Sequence, residues 1–209
     1  EYIHSYELNY KKNIGEQVLQ SSLFYRSRKD KIERLRVPYG AGVTLDSMAN
    51  VGTDHALGME LSGQFIVNKW WNLNVNGNVY YYKVVNNINS GGKEETSTNY
   101  DITVNNLLRI CKNTRIQLDG NFVGPSVTTQ GRSDSFWFVN LAIRQQWFGS
   151  NLQSTLSFRD IFNSARYKND ITTPNLESVT HIRPKFPVIT LSISYTFNHF
   201  KRSSQNSRD

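Results

Sequence analysis

Residues 71–81 form an eleven-residue stretch in which apolar or glycine positions (Trp71, Leu73, Val75, Gly77, Val79, Tyr81) alternate with Asn72, Asn74, Asn76, Asn78 and Tyr80. Successive side chains of a β-strand point to opposite faces, so this segment has one greasy face and one wet face. An aromatic stands at each end of the greasy face. Ten steps of about 3.3 Å, tilted about 40°, rise roughly 25 Å, the height of the apolar band on a transmembrane β-barrel. A strand of a soluble sandwich alternates too. Recurrence of the stripe therefore decides between them.

The stripe recurs along the chain. Tyr6, Leu8 and Tyr10 alternate with polar residues, as do Leu19, Leu23 and Tyr25. The same holds for Leu57–Val67, Ile102–Ile110, Ile116–Phe122, Trp137–Arg144, Leu152–Arg159 and Ile189–Phe197, giving nine strands with no helical period of comparable length. The links between them alternate in length. Short links lie near 13–16, 68–69, 112–114 and 149–151; long ones run about 37–54, 84–98, 124–134 and 163–179. Outer-membrane barrels have short periplasmic turns and longer outside loops. The first strand then runs toward the periplasm and the last one ends there. Trp70, Trp71, Trp147 and Phe148 gather at the short-link end as an interfacial aromatic girdle, and Tyr81 and Trp137 mark the other rim.

Composition narrows the alternatives. The chain has 209 residues, of which 38% are hydrophobic, and no apolar run long enough for a spanning helix. A barrel escapes that exclusion, because its polar lumen dilutes the signal. The net charge is +7. A polyanion partner such as nucleic acid is one reading, but charge spread over lumen and rim explains the excess without it. The one dense basic run, residues 26–36, should rise past the lipid band and touch the negatively charged outer leaflet. Cys111 is the single cysteine, so no internal disulfide forms. His4, His55, His181 and His199 share no metal-ligand spacing. Asp46 and Asp54 lack the dense acidic pattern of a calcium loop. Glu94 and Glu95 read as a solvated loop tip. No nucleophile elbow, P-loop or dinucleotide fingerprint is present. The expectation is a protein that is not an enzyme and carries no cofactor or metal.

Several stretches, taken in order, resemble a known family. They are Ser5-Tyr-Glu-Leu-Asn-Tyr10, Val51-Gly-Thr-Asp-His-Ala-Leu-Gly-Met-Glu-Leu61, Trp70-Trp71, Gly124-Pro125 through Gln130-Gly-Arg132, Phe158-Arg-Asp-Ile-Phe-Asn163 and Leu191-Ser-Ile-Ser-Tyr-Thr-Phe197. The chain is similar to the C-terminal barrel portion of TonB-dependent outer-membrane receptors, in the branch called the outer membrane protein beta-barrel family. This chain departs from the family in two respects: Asn9 stands where Gly is common, and twelve residues follow Phe197, whereas the family's terminal signal usually ends at or near its last aromatic. The resemblance implies an all-β fold, an antiparallel transmembrane barrel segment of about nine up-and-down strands from a 22-stranded barrel. The odd count, and an opening within a strand at Glu1-Tyr2, agree with a piece of something longer. Residues 1–197 are expected to form this barrel segment, and 198–209 a polar, disordered tail.

The resemblance also implies partners and roles. Partners would be outer-membrane lipid, the barrel assembly machinery (reading Tyr195 and Phe197 as a terminal-strand signal), TonB through a plug outside this chain, and a small-molecule or glycan substrate; nucleic acid is not among them. The location implied is the outer membrane of a Gram-negative bacterium. Parity makes Glu60, Gln64, Asn74, Asn76, Arg109, Asp119, Asn121 and Arg144 the candidate lumen residues. Tyr39, His55, Arg132 and Tyr167 are the loop candidates. The competing readings are a small autonomous barrel with a structural or adhesive role, a passive porin, a barrel enzyme and a soluble β-sandwich.

Overall fold

The computed structural model describes residues 1–86 and 93–197; the expected tail lies outside the described residues. Its strands are β1 (Tyr2–Ile14), β2 (Gln17–Lys29), β3 (Ile32–Pro38), β4 (Thr44–Asn50), β5 (Gly52–Asn68), β6 (Trp71–Asn86), β7 (Lys93–Arg109) and β8 (Thr114–Val123). They continue with β9 (Ser126–Val127), β10 (Gly131–Ser133), β11 (Phe136–Trp147), β12 (Leu152–Arg159), β13 (Tyr167–Thr173), β14 (Leu176–Ile182) and β15 (Val188–Tyr195). The nine expected strands build one antiparallel sheet in the order β1-β2-β5-β6-β7-β8-β11-β12-β15. Every neighbour is the next wall strand in the chain, so this is an up-and-down meander. β1 and β15 are its two edges and do not pair with each other.

The register shows why the alternation matters. Residues directly opposite on paired strands share a face. Leu8 faces Leu23, Leu23 faces Met59, and Met59 faces Val79, an apolar row across four strands. Trp71, Leu108, Ile116, Ile143, Leu156 and Leu191 form a second such row. Among the described residues nothing covers these rows. Leu8, Leu57 and Leu191 are 70%, 61% and 62% exposed. The accessible surface is 15057 Å², against roughly 10,000 Å² for a compact soluble chain of this mass. Among the described residues only Phe24, Leu35, Val51, Val84 and Ala165 are buried apolar side chains. A one-layer wall with an uncovered apolar face is what a strand sheet immersed in lipid requires.

The aromatic girdle follows the same parity. Trp70 stacks on Trp71, centroids 6.1 Å apart, and the Trp71 indole donates to Asn106 at 3.1 Å. Trp147 donates to Ser154 at 3.1 Å, and Phe148 is 76% exposed beside it. At the opposite end Trp137 packs on Phe162, 5.8 Å between centroids, with Tyr81 half exposed. Tyr195 and Phe197 meet edge to face at 4.7 Å beyond the free side of the last pairing. Gly15, at φ +60, closes the first short turn, a conformation other residues seldom adopt.

The long links are not bare loops, which corrects the expectation for four segments. β3 and β4 form a two-stranded hairpin, and β14-β13-β10-β9 form a four-stranded sheet drawn from two different links. β5, β6 and β7 run 17, 16 and 17 residues, more than the 9–11 or so that cross a bilayer, so they project beyond the apolar band. Glu94 and Glu95 therefore belong to a strand, and Glu94 pairs with Lys83 at 2.7 Å. The cause is backbone pairing outside the membrane, carried by segments whose side-chain pattern is too short or too polar to register as a stripe.

The turn after β12 is built by one carboxylate. Asp160, at φ +50, accepts from the Ser164 amide (2.9 Å), the Ser164 hydroxyl (3.0 Å) and the Ala165 amide (2.9 Å). Its own amide donates to Asn140 at 3.0 Å. Burial pushes this carboxyl up, but the bonds from Ala165 and Ser164 outweigh burial and hold it below the usual aspartate value. A depressed folded-state value means the stabilisation is complete above the unfolded value, about 4, and disappears as pH falls through the lower folded value. Amide exchange across 160–165, corrected for intrinsic rates, should be constant from neutral pH down to about 5 and accelerate under stronger acid. Asp160→Asn should lose about tenfold protection already at neutral pH, within the range of one charge-assisted hydrogen bond.

Candidate functional site

The face opposite the apolar rows carries the polar chemistry. Gln64, Asn74, Asn105, Asp119 and Asn140 lie in one cross-strand row. Ser62, Asn76, Thr103 and Asn121 lie in the next, tied by Ser62 to Asn76 at 2.7 Å and Thr103 to Asn121 at 3.1 Å. Glu60, Asn78 and Asp101 form a third. Near the short turns Arg109, Arg115 and Arg144 stand side by side. All eight candidates read from parity, Glu60, Gln64, Asn74, Asn76, Arg109, Asp119, Asn121 and Arg144, thus share one face of the sheet. A hollow of about 540 Å³ on it is lined by Glu7, Glu60, Asn76, Asn78 and Asp101 among others.

Above that hollow lies a cluster that parity alone did not single out. Phe24 and Tyr80 pack at 6.1 Å and Tyr80 meets Tyr82 edge on at 6.4 Å, all on the polar face. The Arg26 guanidinium lies 4.4 Å over the Phe24 ring and bonds Glu7 at 3.0 Å. Lys31 donates to the Tyr82 hydroxyl at 2.8 Å, which donates to the buried Asp54 at 2.8 Å. Lys31 also approaches Asp54 and Glu33, each at 3.4 Å. Burial pulls the Lys31 ammonium down, but the Tyr82 hydrogen bond and the nearby carboxylates prevail and hold it above the ordinary lysine value. The signal was available in the sequence: Phe24, Tyr80 and Tyr82 are aromatics at positions where the stripe is otherwise polar.

The same network takes in much of the basic run. Arg26, Arg28, Lys31 and Arg36 each have a carboxylate partner within the chain. Asp46 is held by Arg36 at 2.8 Å and Asp54 by Lys31, so both acids contemplated for calcium are occupied by cations. Four of the six cations of this run are thus paired within the fold.

The loop candidates separate. Tyr39 stands at the tip of the β3–β4 hairpin, 67% exposed. His55 is not in a loop: it lies in β5, stacked on Tyr25, whose hydroxyl is 3.0 Å from Nδ1, on the apolar face near the outer rim. The strand begins earlier than the stripe suggested. Tyr167 opens β13 and packs on Phe136 at 4.3 Å. Arg132 lies in β10 and helps line a polar pocket of about 340 Å³ with Glu95, Thr96, Gln130, Asp170 and Thr172. Gln130 closes this region. Its carboxamide accepts from the Arg36 amide at 2.8 Å and donates to the Arg36 carbonyl at 3.0 Å, capping the free edge of β3. Thr129 donates to Glu33 at 2.9 Å. Two long links, more than ninety residues apart in sequence, are thereby fastened together at the mouth.

The model of the outer membrane protein beta-barrel family matches residues 1–195. No curated protein matches the sequence. Among solved structures, the fold is similar to that of the ferric yersiniabactin uptake receptor FyuA from Yersinia pestis, with TM-score 0.62, 17% identity, 91% of this chain and 29% of that one. It is also similar to the FrpB iron transporter from Neisseria meningitidis (F3-3 variant), with TM-score 0.58, 15% identity, 92% of this chain and 31% of that one. The chain spans about a third of the length of these two proteins.

The aromatic cluster depends on Gly58, which faces Tyr80 in the register. A Cβ there would come within 2.3 Å of the Tyr80 Cβ and 2.5 Å of the Val79 carbonyl oxygen. Gly120, by contrast, has nothing within 4 Å of such a Cβ. Gly58→Ala should lower the folded, heat-modifiable fraction in membranes by the equivalent of about 1–3 kcal/mol, and Gly120→Ala should leave it near wild type.

Proposed function

The chain belongs to the outer membrane protein beta-barrel family, and from that premise we propose that it is the C-terminal wall of a TonB-dependent receptor for active nutrient uptake. Its place is the outer membrane of a Gram-negative bacterium. The wall supplies lumen lining on its polar face, a lipid surface on its apolar face, and structured loops at the mouth. Substrate binds the loops and the upper lumen. TonB acts through a plug contributed by another part of the receptor, and the reaction is translocation rather than catalysis.

The observation that carries this reading is the open meander. Unpaired backbone groups at a strand edge are very costly in lipid. β1 and β15 both present such edges, so the wall needs further strands; thirteen more would complete a 22-stranded barrel. An autonomous small barrel would have to close β1 on β15. The two solved iron receptors that share this fold make a ferric chelate the first substrate class to test, with glycans and peptides next.

Two measurements test the reading. On a Cys111→Ser background, Asn74→Cys and Asn76→Cys should react with a membrane-impermeant thiol reagent that enters through water, and Leu73→Cys and Val75→Cys should not. The opposite pattern would reverse the assignment of lumen and lipid. Deleting the full-length gene should abolish uptake of one nutrient, and deleting TonB should abolish it equally; uptake that persists without TonB would point to a passive pore.

A further inference from the structure

At the mouth Arg26, Arg28, Lys31 and Arg36 are matched to carboxylates. Three arginines near the short turns are not. Arg109 faces Arg115, Arg115 faces Arg144, Arg144 faces Thr155 and Thr155 faces Ser192. Adjacent strands lie about 4.8 Å apart, so three guanidiniums and two hydroxyls form a continuous rank of donors. None of these five side chains has a hydrogen bond or ion pair among the described residues. Like charges directly opposite on paired strands repel and destabilise the sheet. Three arginines in register are tolerated when an anion is shared between them.

The rank also has a built pocket. A cavity of about 160 Å³ is lined by Arg115, Arg144, Thr155 and Gln117, with Ala142 and Leu107 as its apolar floor. The small Ala142 lets a group approach the sheet closely. Two forked guanidiniums and a hydroxyl suit a planar oxyanion bound bidentately; the Gln117 carboxamide beside them already donates to Asp119 at 2.8 Å. Beyond it on the same face, Asp119 Oδ1 and Asn78 Oδ1 are buried acceptors without a donor. A free inorganic anion would answer the arginines and leave these acceptors unmet. A folded polypeptide surface supplies acids and donors together.

We propose that the Arg109–Arg115–Arg144 rank is the docking point on this wall for an Asp or Glu side chain of the polypeptide body that fills the lumen, the carboxylate entering the pocket between Arg115 and Arg144. The inference rests on the receptor reading and deepens it: it names the contact by which the wall holds its plug at the periplasmic end. Guanidinium pairs of this kind hold by hydrogen bonds and charge together, so reversing the charge both removes the bonds and repels the partner.

The test uses the full-length receptor. A photoreactive benzoylphenylalanine at Gln117 should crosslink to the lumen-filling domain within a few residues of an Asp or Glu. Arg115→Glu with Arg144→Glu, in protein verified as folded by heat-modifiable mobility, should raise single-channel conductance in planar bilayers at least tenfold over a closed wild type. Arg115→Lys with Arg144→Lys should lie between them. Where the charge reversal prevents folding, the crosslink alone decides. A crosslink to a segment lacking acids, no crosslink to the domain, or a folded reversal variant as tight as wild type would overturn the docking point. A wild type that conducts freely, with anion selectivity reversed by the same substitutions, would mean that the rank serves a dissolved anion, and would overturn the docking point and the receptor reading together. A closed wild type with an unaffected variant removes only the docking point.

Discussion

Every backbone N–H and C=O of a segment in lipid must find a partner, and in this chain the inner wall strands find theirs on both neighbours while β1 and β15 each keep one side unpaired. That requirement orders the rest. It forces consecutive strands to pair as a meander and leaves strand edges as the one place where the wall is incomplete. It also frees the side chains from building a core. A soluble sheet must cover one face with a second layer; this one has five buried apolar side chains among the described residues, and Val51, Val84 and Leu35 lie where the strands rise above the apolar band. Lipid takes the place of a second layer.

Freed from packing, the two faces divide the work. The apolar face is read by lipid and asks only for hydrophobicity, with indole and phenol groups at the rims to bond across the interface. The polar face is available for specific chemistry, and its composition changes with height. Arginines stand near the short turns, carboxamides and a few acids occupy the middle, and aromatics with a half-buried Lys31–Tyr82–Asp54 chain stand near the mouth. Rings on a wet face are seldom left alone, and these have neighbours: Arg26 over Phe24 and Lys31 over Tyr82. The aromatic patch is thus held by cations rather than by a core.

How much of this could be read from sequence depended on whether a period-2 pattern carried it. The nine wall strands were legible because each must alternate over the full crossing, and a one-residue slip would turn every side chain to the wrong face. The eight polar-face candidates followed from the same parity. The β3–β4 hairpin and the β9–β10–β13–β14 sheet were not legible: β9 and β10 are two and three residues long, too short for any period; β10 pairs with β13 across more than thirty residues of chain, and β9 pairs with β10. His55 was misplaced because β5 begins at Gly52, above the stripe, where the side chains no longer need to alternate. The pairing of the basic run was hidden for a different reason. Its compensating acids, Glu1, Glu7, Asp46, Asp54 and Glu60, come from the first residue of the chain and from β1, β4 and β5, and only the fold brings them within reach.

The distribution of paired and unpaired charge separates what the chain finishes by itself from what it leaves for others. At the mouth, acids and bases from four strands and a turn meet in one network, and Gln130 answers even the backbone of a free strand edge. These pairs are made within this chain, though Arg28 Nε and Asp170 Oδ1 are buried there without a hydrogen-bond partner among the described residues. The short-turn end is the reverse. Its donors are aligned by the register of β7, β8, β11, β12 and β15, rigid elements that cannot rotate them apart, and among the described residues no acceptor reaches them. Strand register is set by the apolar face, which must meet lipid, so the arginines cannot escape one another by slipping. The repulsion is therefore built in by the membrane itself, and it can be relieved only from the lumen side.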